Sequence, residues 1–432
     1  MLLIYSPYKN PRLEYILQFI FNRVVFVSYT LTSNIDDYKN YAGPKIIYSP
    51  NFITKGKWIW ASTLLNETSI HHDLPETVDT EWGKVIFATG DARTFIPFDI
   101  FSASFWLICR YEEYILPQKD HHQRFDFHYS WAEQQQLLHK PVVNEWIEKM
   151  ILLLKAEFPT LLIERPLYKH IPTIDVDNLY AFKGKSLITS LLSTAKAALY
   201  LRGDLIKQRF LYSLHKINDP YDTYSYVCQQ YASHHLTPIF FILTSKKDQY
   251  DRNLYYRHPL FVSTVEQLNK SVNIGIHLSY YAIEKNTAAD EIKALSSVCH
   301  HSIHQNRFHF MKFQLPEYYR QLVQLGISED YSMGYVETDG FRAATCTPFY
   351  FFDLEQNKKT SLRVFPVPFI DKTLFDSLKL NSEEAIQKIS DYIHIIKKYN
   401  GVFVSLWHNE TLQDIKPWKS WKTVFEEMLN LE

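Results

Sequence analysis

The stretch HIPTIDVDNLY, residues 170–180, ends a short apolar run with two carboxylates, Asp175 and Asp177. On a regular strand, residues two apart share a face and stand about 7 Å apart at Cα. Two carboxylates brought to one place repel each other and lose hydration unless something uses their charge. Other apolar runs carry groups of matching chemistry. NIGIH ends in His277, followed by Ser279 and Tyr280; RFHFMKF carries His309; VFVSLWH ends in His408. Asp330 in DYS and Arg342 in GFR lie between them.

Two imidazoles and one carboxylate make an open divalent-metal site with room for water and substrate. A second carboxylate that is not a ligand can take a proton from the attacking water. A histidine on the opposite side can protonate a leaving group. An arginine can hold the base carboxylate ionised and oriented. The sequence supplies each part, which indicates metal-assisted hydrolysis. Three other readings use the same residues. One is a catalytically silent barrel that binds glycan or a protein partner. Another is a non-haem iron enzyme, whose ligand set is also two His and one carboxylate. The third is a glycoside hydrolase with Asp175 and Asp177 as its acid/base pair. It ranks last, because that reaction needs carboxylates flanking the scissile bond rather than sharing one strand face.

These residues need a scaffold that brings strand ends together. Strand-like runs at 171–176, 238–243, 272–277, 307–313, 362–367 and 402–407 alternate with helix-like runs. The helical runs are 186–201, 222–234, 262–270, 288–303, 316–325 and 382–399. Such alternation predicts a mainly parallel sheet, best closed as a βα barrel, with chemistry at the C-terminal strand ends. Before it, MLLIY, VVFVS and KIIYS read as strands and RLEYILQFIF as a helix. Longer helices are predicted over 97–116 and 141–158, joined by the polar loop PQKDHHQRFDFHYS. The division expected is a smaller α/β domain over residues 1–165 and the barrel over 166–432.

At 432 residues the chain has material for more than one core. The 46 Lys and Arg against 47 Asp and Glu, without a polybasic tail, imply neither nucleic acid nor an anionic membrane surface as partner. Cys109, Cys228, Cys299 and Cys346 are widely spaced and read as reduced thiols. The N-terminus lacks a signal-like apolar region, and YILQFIFNRVVFVSYTL is interrupted by Asn22-Arg23. A cytoplasmic protein without an integral membrane segment is the expectation.

TIDVD, GIHLS, GFR and LWH resemble diverged motifs of the NodB-type polysaccharide deacetylases, metal-dependent carbohydrate esterases on a distorted seven-stranded βα barrel. Their first motif reads TFDDG; TIDVD carries Val176 between its acids. The resemblance implies Asp175 as catalytic base and Asp177 as metal ligand. Their second motif is HSxxH; HLSYY keeps His277 and has Tyr281 at the second position, which leaves His309 as the replacement ligand. LWH meets LxH and implies His408 as general acid. GFRAATCTPF meets RxPY in part and implies Arg342 as the residue orienting Asp175. Ser279, Tyr280, Asp330 and Trp407 are the substrate-binding candidates, and Asp330 or Asp371 would tune His408. The segments PFDIFSASFWLICRYEEYIL, PVVNEWIEKM and the 307–354 stretch also resemble bacterial deacetylase-like proteins in which an α/β domain of unknown function precedes the barrel. The resemblance implies removal of an acetyl group, N-acetyl before O-acetyl, from a sugar of a glycan or its precursor. The cofactor implied is a divalent ion, zinc first, with nickel, cobalt or manganese also suited.

Other clusters are expected to be structural. CHHSIHQNRFH places His301 and His304 on a solvated helix end, leaving only His309 for chemistry. KDHHQRFDFH is a polar loop. RYEEY pairs Arg110 with Glu113 at helical spacing and could brace a domain interface. NET, residues 409–411, matches a glycosylation sequon that carries no meaning in a cytoplasmic protein.

Overall fold

The computed structural model describes residues 1–185, 194–195, 199–200, 203–413 and 415–432. Two sheets organise it. The first joins β1 (Leu2–Tyr5), β2 (Tyr29–Thr32), β3 (Lys45–Ser49) and β4 (Lys57–Trp60), all parallel, in the order β2-β1-β3-β4. A hairpin of β5 (Thr77–Thr80) and β6 (Gly83–Ile86) follows. The second sheet uses β7 (Lys169–Val176), β8 (Ile239–Leu243), β9 (Asn273–Leu278) and β10 (Gln305–Phe308). It continues with β11 (Glu329–Met333), β12 (Phe349–Asp353), β13 (Lys358–Pro366) and β14 (Val402–His408). Its order is β12-β13-β11-β10-β9-β8-β7-β14, parallel throughout except β12 against β13. The sheet curls into a half-barrel. Seven of its strands are parallel, as a distorted seven-stranded barrel would have them, and β12 adds an antiparallel edge; among the described residues no ladder joins β14 to β12 or β13, so the sheet is a curled half-barrel.

Both faces of this sheet are buried, which is why its strands read as near-continuous apolar runs. Ile174 and Val176 of β7, with Phe240 and Ile242 of β8, pack outward against helices. Ile171, Ile239, Phe241, Val404 and Leu406 turn inward and form a separate cluster inside the curl. Period-2 alternation then puts Thr173 and Asp175 on the inner face. Space there is tight. A Cβ added at Gly275 of β9 would meet the Phe241 ring at 2.6 Å, and a side chain there would cost the packing of that ring.

The first sheet is tied to the second through helix Pro11–Phe19. Asn10 caps it by accepting from Leu13 N at 3.0 Å, and Pro11 sits where a missing N–H costs nothing. Its buried Arg12 donates to Leu64 O, Ser69 O and Asn357, and Tyr15 donates to Tyr350 O on β12. The helix expected over 97–116 is two, Ile100–Ile108 and Tyr111–Ile115, with Arg110 between them in the left-handed region at φ 52. Burial of the Arg110 and Glu113 charges against each other accompanies that break.

Other expectations shift. VVFVS is not a strand: Val24 closes a π-helical turn, Val25 and Val27 are buried, and only Phe26 makes a bridge, to Glu164. The strand itself comes later, at β2. The run 307–313 stops at Phe308, because a tight turn over His309–Met311 follows. β4, β5, β6, β11 and β12, each four or five residues long, lie outside the expected strand runs. The helix expected over 186–201 lies almost wholly outside the described residues. All four cysteines are unpaired. Among the described residues no helix is long and apolar enough to cross a membrane.

Candidate metal and acid–base site

Strand register sets the first pairings. His408 is the lateral neighbour of Asp175 across β14 and β7, and His277 that of Arg307 across β9 and β10. All these strands run the same way, so their C-terminal ends form one rim. Asp175, Asp177, His277, His309 and His408 line one cavity of about 120 Å³ at that rim. Phe308, Met311, Val336, Ile370 and Leu406 supply its apolar walls.

One end of the cavity gathers three ligand-type groups. Nε2 of His277 and of His309 lie 3.3 and 3.6 Å from Oδ1 of Asp177. One ligand atom from each of these three residues falls within 4.8 Å of the others. The outer nitrogens are committed. His277 Nδ1 donates to Arg307 O at 2.8 Å, and His309 Nδ1 to Asp251 Oδ1 at 2.7 Å. A carbonyl and a carboxylate can only accept, so both neutral rings present an Nε2 lone pair inward. Asp177 Oδ1 is buried and has no hydrogen-bond partner. Three lone pairs aimed at one point call for a cation or a proton. Burial opposes a charge on His309, yet Asp177 and Asp251 outweigh it and push its pKa to about 9. The donor set, two imidazoles and a carboxylate with braced outer nitrogens, fits a divalent ion.

Asp177 Oδ2 faces elsewhere. Lys372 Nζ lies 3.0 Å from it and 2.5 Å from Glu410 Oε1. Burial raises the Asp177 pKa, but Lys372, His309 and His408 together hold it well below the usual carboxylate range.

Asp175 lies beside this group, with Oδ2 3.7 Å from His277 Nε2. Its Oδ1 accepts from Arg307 Nη1 at 2.7 Å. Arg307 is fully buried, and it also donates to Thr173 Oγ1 and Tyr331 O while its guanidinium lies 4.5 Å from the Phe241 ring centre. Opposite, His408 Nδ1 bonds Asp371 Oδ1 at 2.6 Å, and Asp371 Oδ2 accepts the His408 backbone N–H and the Thr411 hydroxyl. Burial alone would lower the His408 pKa; Asp371 dominates and raises it. Its Nε2 is left facing Asp177 Oδ2, 3.8 Å away.

The turn after β10 delivers much of this. Phe310 and Met311 both have positive φ, 61° and 49°, a cost of about 1–3 kcal/mol each for residues with a Cβ. The conformation puts His309, Phe310 and Met311 all onto the cavity. The loop predicted at 117–130 packs against this turn: Arg124 donates to Phe310 O, and His122 Nδ1 meets the Tyr280 hydroxyl.

Several expectations need correction. Arg342 does not touch Asp175. It makes a two-pronged pair with Glu113, at 2.9 and 2.7 Å, and donates to Gly334 O. Arg307 holds the place expected for it. Asp371, not Asp330, pairs with His408. Asp330 is fully buried among Tyr319, Asn306 and Ser332, and accepts from all three. Trp407 alternates to the outer face of β14, where its Nε1 donates to Met428 Sδ. Ser279 is held by Glu291 and lines a neighbouring cleft instead. Tyr280 stacks on Tyr250 and donates its N–H to Asp251, so it backs His309 rather than lining the cavity. His301 and His304 are exposed, as a solvated cluster would be.

Sequence reading missed Arg307, Asp251 and Lys372 as site residues. Arg307 carried a usable signal: a cation at the start of the aromatic run RFHF, two positions before a candidate ligand. Asp251 and Lys372 carried none, because each stands in a loop whose path only the fold sets.

Residues 2–159 match the model of a "Family of unknown function (DUF7033)". No curated protein matches the chain. Among solved structures, one described as "putative polysaccharide deacetylase from Mycobacterium smegmatis" is similar at 15% identity and a TM-score of 0.40. The alignment covers 61% of this chain and 83% of that one.

Proposed function

We propose that this chain is a metal-dependent deacetylase that removes an acetyl group, N-acetyl before O-acetyl, from a sugar of a glycan or glycan precursor. The observation carrying this reading is the unpartnered, buried Oδ1 of Asp177 facing two braced imidazoles, with a separate carboxylate beside it and a paired histidine opposite. A divalent ion held by Asp177, His277 and His309, zinc before nickel, cobalt or manganese, would supply Lewis acidity toward the acyl oxygen. Asp175 takes the proton of the attacking water, and Arg307 keeps that carboxylate charged and aimed. His408 gives its Nε2 proton to the departing amine, while Asp371 holds Nδ1–H and fixes the ring. The apolar walls accept the acetyl methyl group, and the small cavity leaves the sugar outside at the rim. The strand start at Lys169 supports the division proposed between residues 1–165 and 166–432.

The test offers acetylated sugar oligomers to zinc-loaded protein and measures released acetate. Wild type should release it. Asp175→Asn should keep the metal and lose turnover, and normal hydrolysis by that variant sinks the assignment. A second reading, a silent barrel that binds carbohydrate or a protein partner, is favoured by Lys372, whose ammonium already partly neutralises Asp177. It predicts no zinc, nickel, cobalt or manganese bound to purified protein, and no acetate release.

A further inference from the structure

The chain leaves β7 at the rim beside Asp177 and returns to the sheet only through helix Tyr224–Ser233. Charge is strongly segregated in this excursion. Between positions 183 and 216 the sequence has Lys183, Lys185, Lys196, Arg202, Lys207, Arg209 and Lys216 and one acidic residue, Asp204; of these, Lys183 pairs with Asp222 just beyond the run. The balanced total of the whole chain conceals this.

Its described part also exposes large apolar side chains. Leu199, Tyr200, Phe210 and Leu214 are 79, 64, 62 and 49% exposed. Helix Gly203–Ser213 explains the grouping of the last two. Lys207, Phe210 and Leu214 stand at i, i+3 and i+7, on one helical face, and all three are exposed. The opposite side holds the helix to the body: Gln208 is buried and donates to Lys416 O, and Tyr212 packs its ring against Phe182. The apolar face therefore looks away from the molecule. Aromatic and leucine side chains rimmed by lysine suit the boundary of a bilayer, where rings enter the acyl region and ammonium groups reach the lipid headgroups.

We propose that Leu199 and Tyr200 together with residues 203–216 form an interfacial element that binds an anionic bilayer surface. Because the excursion starts at the strand ends that carry Asp175 and Asp177, docking would hold the cavity mouth near that surface. The proposal does not depend on the hydrolytic reading, and lipid binding is measured without turnover.

The experiment pellets the full chain with vesicles of equimolar phosphatidylcholine and phosphatidylglycerol, or of phosphatidylcholine alone. Binding to the anionic vesicles should be at least ~10-fold tighter and should weaken with salt. Phe210→Ser with Leu214→Ser should reduce it by about 10-fold or more, with an unchanged thermal melt. Lys207→Glu with Lys216→Glu should remove the preference for anionic lipid while leaving the apolar face intact. Failure of wild type to bind the anionic vesicles overturns the proposal, as does equal binding by both double variants. A concentration-dependent dimer abolished by the serine pair, without lipid binding, assigns the face to a second copy of the chain instead.

Discussion

Two buried ionic clusters of this molecule differ in how they are completed. Around Glu113, the carboxylate takes both Arg110 and Arg342, and Glu112 lies 2.8 Å from Arg110. Burial opposes the charge on Glu113, but the two guanidiniums hold its pKa below the usual range. Every charge there has a partner, and the cluster ties the short helix Tyr111–Ile115 to the loop after β11. Around Asp177, by contrast, Oδ1 is faced only by two imidazole nitrogens, and the space the three share suits one cation or one proton. Both clusters are expensive to desolvate. What sets the second apart is the kind of partner: imidazoles rather than guanidiniums turn toward its carboxylate, and the proposed metal site rests on that arrangement. Arg342 looked like a site residue in sequence because it is an arginine in the right stretch; it belongs to the completed cluster.

The comparison breaks most sharply at Asp175. Replacing Asp175 by Asn removes a proton acceptor without changing shape, so acetate release should fall by ~10²–10⁴. Metal content per folded molecule should hardly move, whereas the melting temperature should fall, because Arg307 is left buried without its carboxylate. At the other cluster, Glu113→Ala leaves two buried guanidiniums with one carboxylate. Denaturant titration should report a loss of about 3–5 kcal/mol in stability, with metal content per folded molecule unchanged. An equal loss of metal in that variant would mean the two clusters are not separate in kind. Asp251→Asn probes the bracing of His309. Metal affinity should drop ~10–100-fold in a competition titration, while stability stays near wild type.

At neutral pH the smallest effect is expected at a buried histidine outside both clusters. His170 is buried on β7 and bonded to Ser405. Burial first, and Lys397 second, hold its pKa down to about 3. The unfolded chain binds a proton there below roughly pH 6.5, and the native state does not. His170 therefore keeps its full contribution above about pH 6.5 and draws stability down as pH falls toward about 3. His170→Asn should flatten that part of a stability–pH curve, and an unchanged curve would show that His170 is protonated in the native state.

Much of the site could be read from the chain alone. The spacing of Asp175 and Asp177 put both on one face, and NIGIH and VFVSLWH ended in histidines that line the cavity. Period-2 alternation and strand polarity are properties of the backbone, so a linear pattern carries them. The same alternation could have turned Trp407 outward in advance, since His408 beside it was placed inward. Boundaries were harder where apolar content misled, as in VVFVS, where buried valines fill a turn.

What the sequence determined by itself was therefore a parallel, doubly buried sheet and a set of acids and imidazoles at its C-terminal rim. The partners of those groups were settled only by tertiary structure. Arg307 reaches Asp175 from β10, three strands away across the curl. Asp371 meets His408, and Lys372 meets Asp177, from the segment after β13. Such pairings depend on strand order, sheet curvature and loop path. No local spacing encodes these, because each joins residues far apart in the chain through the shape of the space between them.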